Sequence, residues 1–272
     1  MSADATKNQV NYIAMGDGYP VVLVHGLAAS LYDWANLMPA LAEAGFRAYA
    51  LDLLGHGESR KPDEPENYNA ENLYGHFARW VKELSLADPP LLVGHSLGGY
   101  ISLRYALEDA GGIAGLVLVD PFYSPDQLMP ALRFLNRRPD LGEKALRYAP
   151  LWLIHLAVHF DLIDAITFPK ETRRQIAVDY KRASPHVLYI PRSLLDLTYK
   201  VQEIPQPALV IWGEKDRTLE PSSFSRLLDL MPNASGYPLS DCGHQPHISR
   251  PSDVSQIILE FMLARFQAEI PD

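Results

Sequence analysis

Residues 93–99 read Val-Gly-His-Ser-Leu-Gly-Gly, and this stretch decides the fold. It contains the pattern Gly-x-Ser-x-Gly, follows the apolar run 90–93 and opens a helix-like run. A strand that turns sharply into a helix at one residue holds that residue in strained backbone geometry, so the two flanking glycines leave room around it. The pattern therefore predicts that Ser96 is a nucleophile at a strand tip, near the positive end of the following helix. The alternative is an ordinary glycine–serine turn.

A serine nucleophile needs a base, and the base needs an orienting acid. In this type of fold the partners follow in the order Ser, Asp or Glu, His, each just after a strand. The apolar run 208–212 ends in a Gly-Glu-Lys-Asp turn at Asp216, and the segment 235–239 is followed by Ser-Asp-Cys-Gly-His, which ends at His244. Asp216 and His244 therefore stand where an acid and a base are required.

Other residues compete for these two roles. Asp120 also ends a buried-type strand, 116–119, and is the second candidate for the acid. His247 lies close to His244, but a base must reach the serine hydroxyl, and the Gly-His step favours His244. Asp241 is interpreted as a residue that structures its loop.

Four motifs resemble those of the α/β-hydrolases and occur along the chain in the order that is usual for that family. The resemblance extends over nearly the whole chain. Their sequences are VGHSLGG at 93–99, HGLAAS at 25–30, DLLGHGES at 52–59 and WGEKD at 212–216. Jointly they are far more specific than any one of them alone.

The resemblance implies a role for each site residue. Ser96 would be the nucleophile, His244 the general base and Asp216 the acid. The backbone N–H groups of Leu27 and Leu97 would form the oxyanion hole.

The histidines that precede these motifs have a second interpretation. His25 comes before the presumed oxyanion loop and His95 before the nucleophile. Both are interpreted mainly as packing and hydrogen-bonding supports, although His25 is also a candidate for the wall of the substrate pocket. His56, between two glycines, is interpreted as part of a tight structural loop.

Composition excludes several classes of protein. The chain has 272 residues, of which 47% are hydrophobic, and a formal net charge of −9, which argues against nucleic-acid binding. A lone cysteine, Cys242, cannot form an internal disulfide. The first residues lack the apolar stretch of a signal peptide, and no run reaches the roughly 20 apolar residues that span a membrane. A cytoplasmic enzyme is the expectation, with the oligomeric state left open.

The order of predicted elements indicates an α/β fold, with a mainly parallel central sheet flanked by helices. Strands are predicted at 8–14, 20–25, 46–51, 91–95, 114–119, 208–212 and 235–239, and helices at 33–44, 70–86, 97–109, 221–230 and 251–267. The alternation of strands and helices stops between the strands 114–119 and 208–212. Here the sequence predicts helices interrupted by prolines. We expect an α/β-hydrolase core at 1–122 and 204–272. Residues 123–203 resemble the helical cap that the family inserts after the sixth core strand.

One cap stretch, 151–160, is strongly apolar. We expect either a helix packed on the core or a helix that lines the pocket, in which case Trp152 and Leu156 contact an apolar substrate. His155 and His159 lie four residues apart, but no His-Glu-x-x-His frame and no third ligand accompany them. The sequence therefore predicts no metal and no cofactor.

The predicted function is a serine hydrolase, most simply a carboxylesterase, that cleaves a small apolar ester through an acyl-enzyme. Thioester, lactone and amide cleavage use the same triad. The principal alternative is a carbon–carbon bond hydrolase of ring-fission dienoates, for which Arg192 could bind the substrate carboxylate and against which His95 argues. Alternatives of other classes are a non-catalytic binding protein and a cofactor-free dioxygenase. Epoxide hydrolases and haloalkane dehalogenases of this fold use an aspartate nucleophile, so Ser96 argues against both.

Overall fold

The computed structural model describes residues 9–154 and 168–266. Seven strands form one sheet in the order β1-β3-β2-β4-β5-β6-β7, in which β1 is antiparallel to β3 and the other pairs are parallel. The strands are β1 (Tyr12–Met15), β2 (Tyr19–Val24), β3 (Phe46–Leu51), β4 (Leu91–His95), β5 (Gly115–Val119), β6 (Ala208–Gly213) and β7 (Ala234–Leu239). The predicted α/β-hydrolase architecture is confirmed.

The α-helices with both ends in the described residues are α1 (Leu37–Glu43), α2 (Ala70–Glu83), α3 (Leu97–Glu108), α4 (Pro130–Asn136), α5 (Pro139–Tyr148), α6 (Lys170–Arg182), α7 (Ser222–Leu230), α8 (Pro246–Ser249) and α9 (Pro251–Phe266). Residues 151–154 are also helical, and 3-10 segments occur at Leu31–Trp34 and Pro185–Ser193, among other places. None of the helices in the described ranges is both long enough and apolar enough to cross a membrane.

Successive residues of the central strands pack on opposite faces of the sheet. In β2, Val22 and Val24 belong to the hydrophobic cluster that includes α2, α3 and α7, whereas Val21 and Leu23 belong to the cluster that includes α1 and α9. Because both faces are covered, these strands are continuous apolar runs rather than alternating ones. All residues of β2, β4, β5 and β6 are buried.

The predicted helix 33–44 is divided into two pieces. A 3-10 turn, Leu31–Trp34, is capped by Ser30, whose hydroxyl accepts the Tyr32 N–H at 3.3 Å, and α1 begins only at Leu37. Pro39 explains the division. It has no N–H for the preceding turn and its ring would clash with the carbonyl four residues earlier, so it is accommodated in the first turn of a new helix.

The segment 123–203, which we call the insert, lies between β5 and β6 and contains α4, α5, α6 and the 3-10 segment Pro185–Ser193. It therefore follows the fifth described strand. This strand is the sixth in the sequence prediction, which assumes a pair of antiparallel strands at the start of the sheet. The described residues contain β1 alone there.

Hydrogen bonds donated by main-chain N–H groups of the insert join it to the core. The Ser184 N–H donates to the Gly55 carbonyl at 2.8 Å, and the Leu195 N–H donates to the Tyr100 hydroxyl at 3.0 Å. The apolar interior of the insert also reaches the core, because Ile248 of α8 packs with it. Its members from the insert are Leu146, Ile154, Phe168, Ile176 and Ala177.

A buried carboxyl group lies on the face of α6 that meets the core. Asp179 is 3% exposed, and the Gln175 amide donates to its two oxygens at 3.0 and 3.1 Å. Burial raises the pKa of Asp179 from 3.8 to about 6, and the nearby Asp33 carboxyl adds to the increase. The folded protein therefore binds more protons than the unfolded chain between these values, and stability falls as the pH rises through this window.

Asp179→Asn should remove this penalty. At pH 7.5 we expect the variant to unfold at a higher temperature than the wild type, with a gain of up to about 3 kcal/mol, the equivalent of two pKa units. Thermal unfolding measured at pH 4.5 and 7.5 should show a smaller pH dependence in the variant. Asp126→Asn, which changes an exposed carboxylate of the insert, is the control. A loss of stability in Asp179→Asn at pH 7.5 would contradict the direction of the shift.

Candidate active site

Ser96 occupies the sharp turn between β4 and α3. Its backbone has φ 50° and ψ −112°, a left-handed conformation that side chains rarely adopt. A Cβ at Gly94 would overlap the Gly98 carbonyl, and a Cβ at Gly98 would overlap that of Val24. Glycine at these two positions therefore allows the turn to form, and the Ser96 side chain remains partly accessible at its tip.

His244 and Asp216 complete a chain of hydrogen bonds that begins at Ser96. The Ser96 Oγ lies 2.9 Å from His244 Nε2, and His244 Nδ1 lies 2.7 Å from Asp216 Oδ2. The other Asp216 oxygen accepts the N–H groups of Thr218 and Leu219, at 2.6 and 3.0 Å, which fixes the direction of the carboxylate. The side chain of Asp216 is fully buried and that of His244 is 12% exposed. Asp216 is thus shielded from solvent, while His244 faces the Ser96 hydroxyl.

The loops that carry the acid and the base are joined to each other. The Lys215 N–H donates to the Cys242 carbonyl at 2.9 Å, and the Lys215 ammonium pairs with Asp241 at 2.8 Å. A Cβ at Gly213 would overlap the Gly243 carbonyl, so the close approach of the loops requires glycine there. Asp241 structures the loop, as the sequence predicts.

Asp120, the alternative acid, lies next to Asp216, and one of its oxygens is within 4.8 Å of a ring nitrogen of His244. It is fully buried, and its Oδ1 accepts the Gly213 N–H at 3.0 Å. Burial raises the pKa of Asp120 well above its usual value, and the neighbouring Asp216 carboxylate raises it further. Through the Gly213 N–H, the Asp120 carboxyl group supports the end of β6.

His25 orients the peptide group that precedes Leu27. The Leu53 N–H donates to His25 Nε2 at 3.0 Å, so Nε2 is the acceptor and the Nδ1–H donates to the Gly26 carbonyl at 2.7 Å. Because C=O and N–H point in opposite directions in a trans peptide, this hydrogen bond directs the Leu27 N–H away from His25. A Cβ at Gly26 would lie 3.4 Å from the Ser96 Cβ, so the loop passes directly beside the nucleophile.

Leu97 is the first residue of α3, and its N–H has no acceptor within the helix. It follows the nucleophile directly and lies at the positive end of a 12-residue helix. Negative charge that develops on a carbonyl oxygen attacked by Ser96 would be stabilised here.

The three predicted pocket residues have different outcomes. His25 has no accessible surface, so it supports the oxyanion loop from behind and does not contact substrate, which corrects the expectation. Trp152 is 68% exposed at the start of the helix that begins at 151, so it is not packed on the core. Leu156, together with His155 and His159, lies outside the described residues.

Sequence reasoning missed a group of buried polar residues behind the triad. Asp33, in the 3-10 turn Leu31–Trp34, approaches His247 of α8, and His247 packs against the His95 ring. In the sequence, only the Pro246-His247 step after His244 indicates this group. From the sequence alone, His247 is interpreted solely as a competing base. Asp179 of the insert was also missed.

The sequence profile described as "alpha/beta hydrolase fold" matches residues 19–251. The chain belongs to this family. The match covers Ser96, Asp216 and His244.

Individual relatives of the α/β-hydrolase differ in their named activities. The chain is 27% identical to a 2-hydroxy-6-oxo-6-(2'-aminophenyl)hexa-2,4-dienoic acid hydrolase of Metapseudomonas resinovorans, over 94% of this chain and 88% of the relative. It is 25% identical to bifunctional epoxide hydrolase 2 of Sus scrofa, over 93% of this chain but 53% of the relative, so it spans about half the length of that protein. Among solved structures, a thermophilic esterase from Thermogutta terrifontis superimposes with a TM-score of 0.81 at 26% identity, covering 94% of this chain and 93% of the esterase.

Proposed function

We propose that this α/β-hydrolase is a serine hydrolase that cleaves a carboxylic ester through an acyl-enzyme. The observation that carries the proposal is the continuous arrangement Ser96 Oγ, His244, Asp216, with separations of 2.9 and 2.7 Å. Epoxide hydrolases of this fold use an aspartate nucleophile, whereas this chain has a serine at that turn. A serine hydroxyl must give up its proton to attack, and His244 is the proton acceptor.

The reaction takes place in two stages. Ser96 Oγ attacks the ester carbonyl while His244 Nε2 accepts the hydroxyl proton, and the Asp216 carboxylate stabilises the resulting imidazolium. The tetrahedral oxyanion accepts hydrogen bonds from the N–H groups of Leu27 and Leu97, and its collapse releases the alcohol, which takes the proton from His244. Water, deprotonated by His244, then attacks the acyl-enzyme. The acid is released and Ser96 regains its proton.

The surroundings of the base favour an apolar substrate. Ile248, four residues after His244, packs with the apolar interior of the insert. Arg192, the candidate ligand for a dienoate carboxylate, is exposed on the 3-10 segment Pro185–Ser193. An uncharged ester therefore fits the described surroundings better than a substrate that carries a carboxylate.

Carbon–carbon bond hydrolysis is the second candidate, because the relative that is 27% identical bears the name of a dienoic acid hydrolase. The test is a panel of p-nitrophenyl esters of increasing acyl length, with a thioester and a ring-fission dienoate assayed on the same preparation. We expect ester turnover that rises about fourfold in kcat/KM per methylene, the equivalent of about 0.8 kcal/mol, until the apolar pocket is full. Turnover of the dienoate in preference to every ester would replace the ester proposal with the second candidate.

The same panel tests the insert. Trp152→Ala should shift the preferred acyl length if this exposed side chain covers the pocket mouth, with little effect on acetate esters. An unchanged chain-length profile would assign Trp152 no part in substrate selection.

A further inference from the structure

The catalytic base is held from behind by a second histidine. His95 Nε2 lies 2.8 Å from the main-chain carbonyl of His244. A carbonyl oxygen only accepts hydrogen bonds, so Nε2 carries the proton and, in a neutral ring, Nδ1 presents a lone pair. The His95 ring is neutral at physiological pH, since burial lowers its pKa well below the usual value.

Beyond His95 lies His247, inside a layer of aromatic rings. Its ring centroid is 4.4 Å from that of His95 and 4.8 Å from that of Trp34. Its Nε2 is 3.8 Å from Asp33 Oδ2, and the two side chains are 2% and 6% exposed. This is the spacing of an ion pair rather than of a hydrogen bond.

The polar atoms of this group are buried and lack hydrogen-bond partners within the described residues. They are Asp33 Oδ2, His95 Nδ1 and both ring nitrogens of His247. Asp33 Oδ2 and His95 Nδ1 are both acceptors. A neutral His247 has one N–H and satisfies only one of them, whereas an imidazolium has two. Leaving a buried acceptor unsatisfied costs about 1–3 kcal/mol.

We propose that Asp33, His247 and His95 form a positioning chain for the catalytic base, in which His247 is an imidazolium between the Asp33 carboxylate and His95 Nδ1. The proposal rests on the proposed function, since it concerns the position of His244 relative to Ser96. One ligand-type atom of each of the three side chains lies within 4.8 Å of the others, so rotation of the His247 ring would bring an N–H towards each acceptor. Its positive charge and the Asp33 carboxylate compensate each other, and the tautomer of His95 that holds the His244 carbonyl is thereby fixed.

Among the described residues, the titratable groups that face this positioning chain include His25, in the loop after β2, which acts on His95. Asp33 lies in the 3-10 turn, His95 at the end of β4, His244 in the loop before α8, and Asp179 on α6 of the insert, near Asp33. The two carboxyl groups favour a cation at His247, while the neutral His95 does not oppose it. Ligand-type atoms of Asp33, His95 and His247 lie within 4.8 Å of one another, so a metal ion would compete with the His247 proton for this position, and metal binding is an outcome of the test.

The first measurement needs no substrate, and its main signal is read on the wild type. Nitrogen-15 NMR of histidine-labelled wild-type protein at pH 7.5 should show one buried histidine protonated at both nitrogens, assigned to His247 by its loss in His247→Leu. In Asp33→Asn that ring should become singly protonated. A singly protonated His247 in the wild type overturns the proposal, and so does one zinc ion bound per chain after incubation with zinc alone.

The second measurement separates positioning from packing. His95→Leu removes the donor to the His244 carbonyl, while His95→Gln keeps a side-chain N–H near the position of Nε2. We expect kcat for the best ester to fall about 10²-fold in His95→Leu, the cost of a displacement of about 1 Å in a catalytic group, with KM little changed and most of kcat retained in His95→Gln. The low-field proton resonance of the His244–Asp216 hydrogen bond, recorded without substrate, should broaden or shift in His95→Leu alone.

The matched control is His76→Leu, which changes another buried histidine, on α2, whose two ring nitrogens have no hydrogen-bond partner in the part of the chain that the structure describes. It should lower stability to a similar extent without altering kcat or the low-field resonance. If His95→Leu and His95→Gln, or His95→Leu and His76→Leu, had equal effects, the role of His95 would be packing alone and the positioning chain would be rejected. If the wild type hydrolyses no ester while the NMR signatures appear as expected, the proposed function fails and the positioning chain stands.

Discussion

Ser96→Ala is expected to reduce ester turnover by about 10⁶-fold, the loss found when the nucleophile of a triad is removed. His244 Nε2 then has no hydroxyl to deprotonate, and the remaining oxyanion donors only polarise the substrate. Because the side chain is partly accessible and contributes little to the core, the melting temperature should change by about 2 °C or less. Steady-state assays and thermal unfolding on the same preparation measure both quantities.

Ser85→Ala is the matched control for this variant. Ser85 is an exposed serine with φ 50°, the same value as Ser96, but it lies after α2 and away from the Ser96–His244–Asp216 hydrogen-bond chain. Its replacement should leave turnover unchanged. A fluorophosphonate probe should label the wild type once, label Ser85→Ala equally and fail to label Ser96→Ala. Persistent labelling of Ser96→Ala would identify a different nucleophile.

The parts of the fold that the sequence predicts well are those decided by local pattern. The strands 91–95 and 46–51 have their predicted bounds, because each is rich in apolar residues and bordered by turn residues or by a change in polarity. The helix predicted at 33–44 is interrupted because of Pro39. The apolar periodicity continues through this residue, but proline has no N–H to donate to the preceding turn. Periodicity alone does not detect a missing N–H.

The active site divides in the same way. The nucleophile, acid and base follow strand ends, and the parallel sheet brings these ends to one edge, so their order along the chain sufficed to predict that they meet. His25 was misjudged as a pocket residue, because the sequence does not show that both its ring nitrogens are already used by main-chain groups. Asp33 and His247 are 214 residues apart, and no local pattern relates them.

The contribution of each carboxyl group follows from its charge and its contacts. Asp216 accepts N–H groups on one oxygen and faces His244 Nδ1 with the other, so the carboxylate both selects the tautomer and stabilises the imidazolium. Asp120 accepts the Gly213 N–H, and burial together with the Asp216 carboxylate raises its pKa. An amide is a close substitute for a neutral carboxyl group but a poor one for a carboxylate.

Asp216→Asn should therefore lower kcat by about 10⁴-fold with KM little changed, whereas Asp120→Asn should lower it by about tenfold or less. In Asp216→Asn the oxygen that accepts the Thr218 and Leu219 N–H groups is retained, so the amide NH2 faces His244 Nδ1. Nδ1 must then accept, the proton moves to Nε2, and Nε2 no longer takes the proton of Ser96. Measuring kcat and KM for both variants on one ester decides between the two acids, and a larger loss in Asp120→Asn would transfer the role to Asp120.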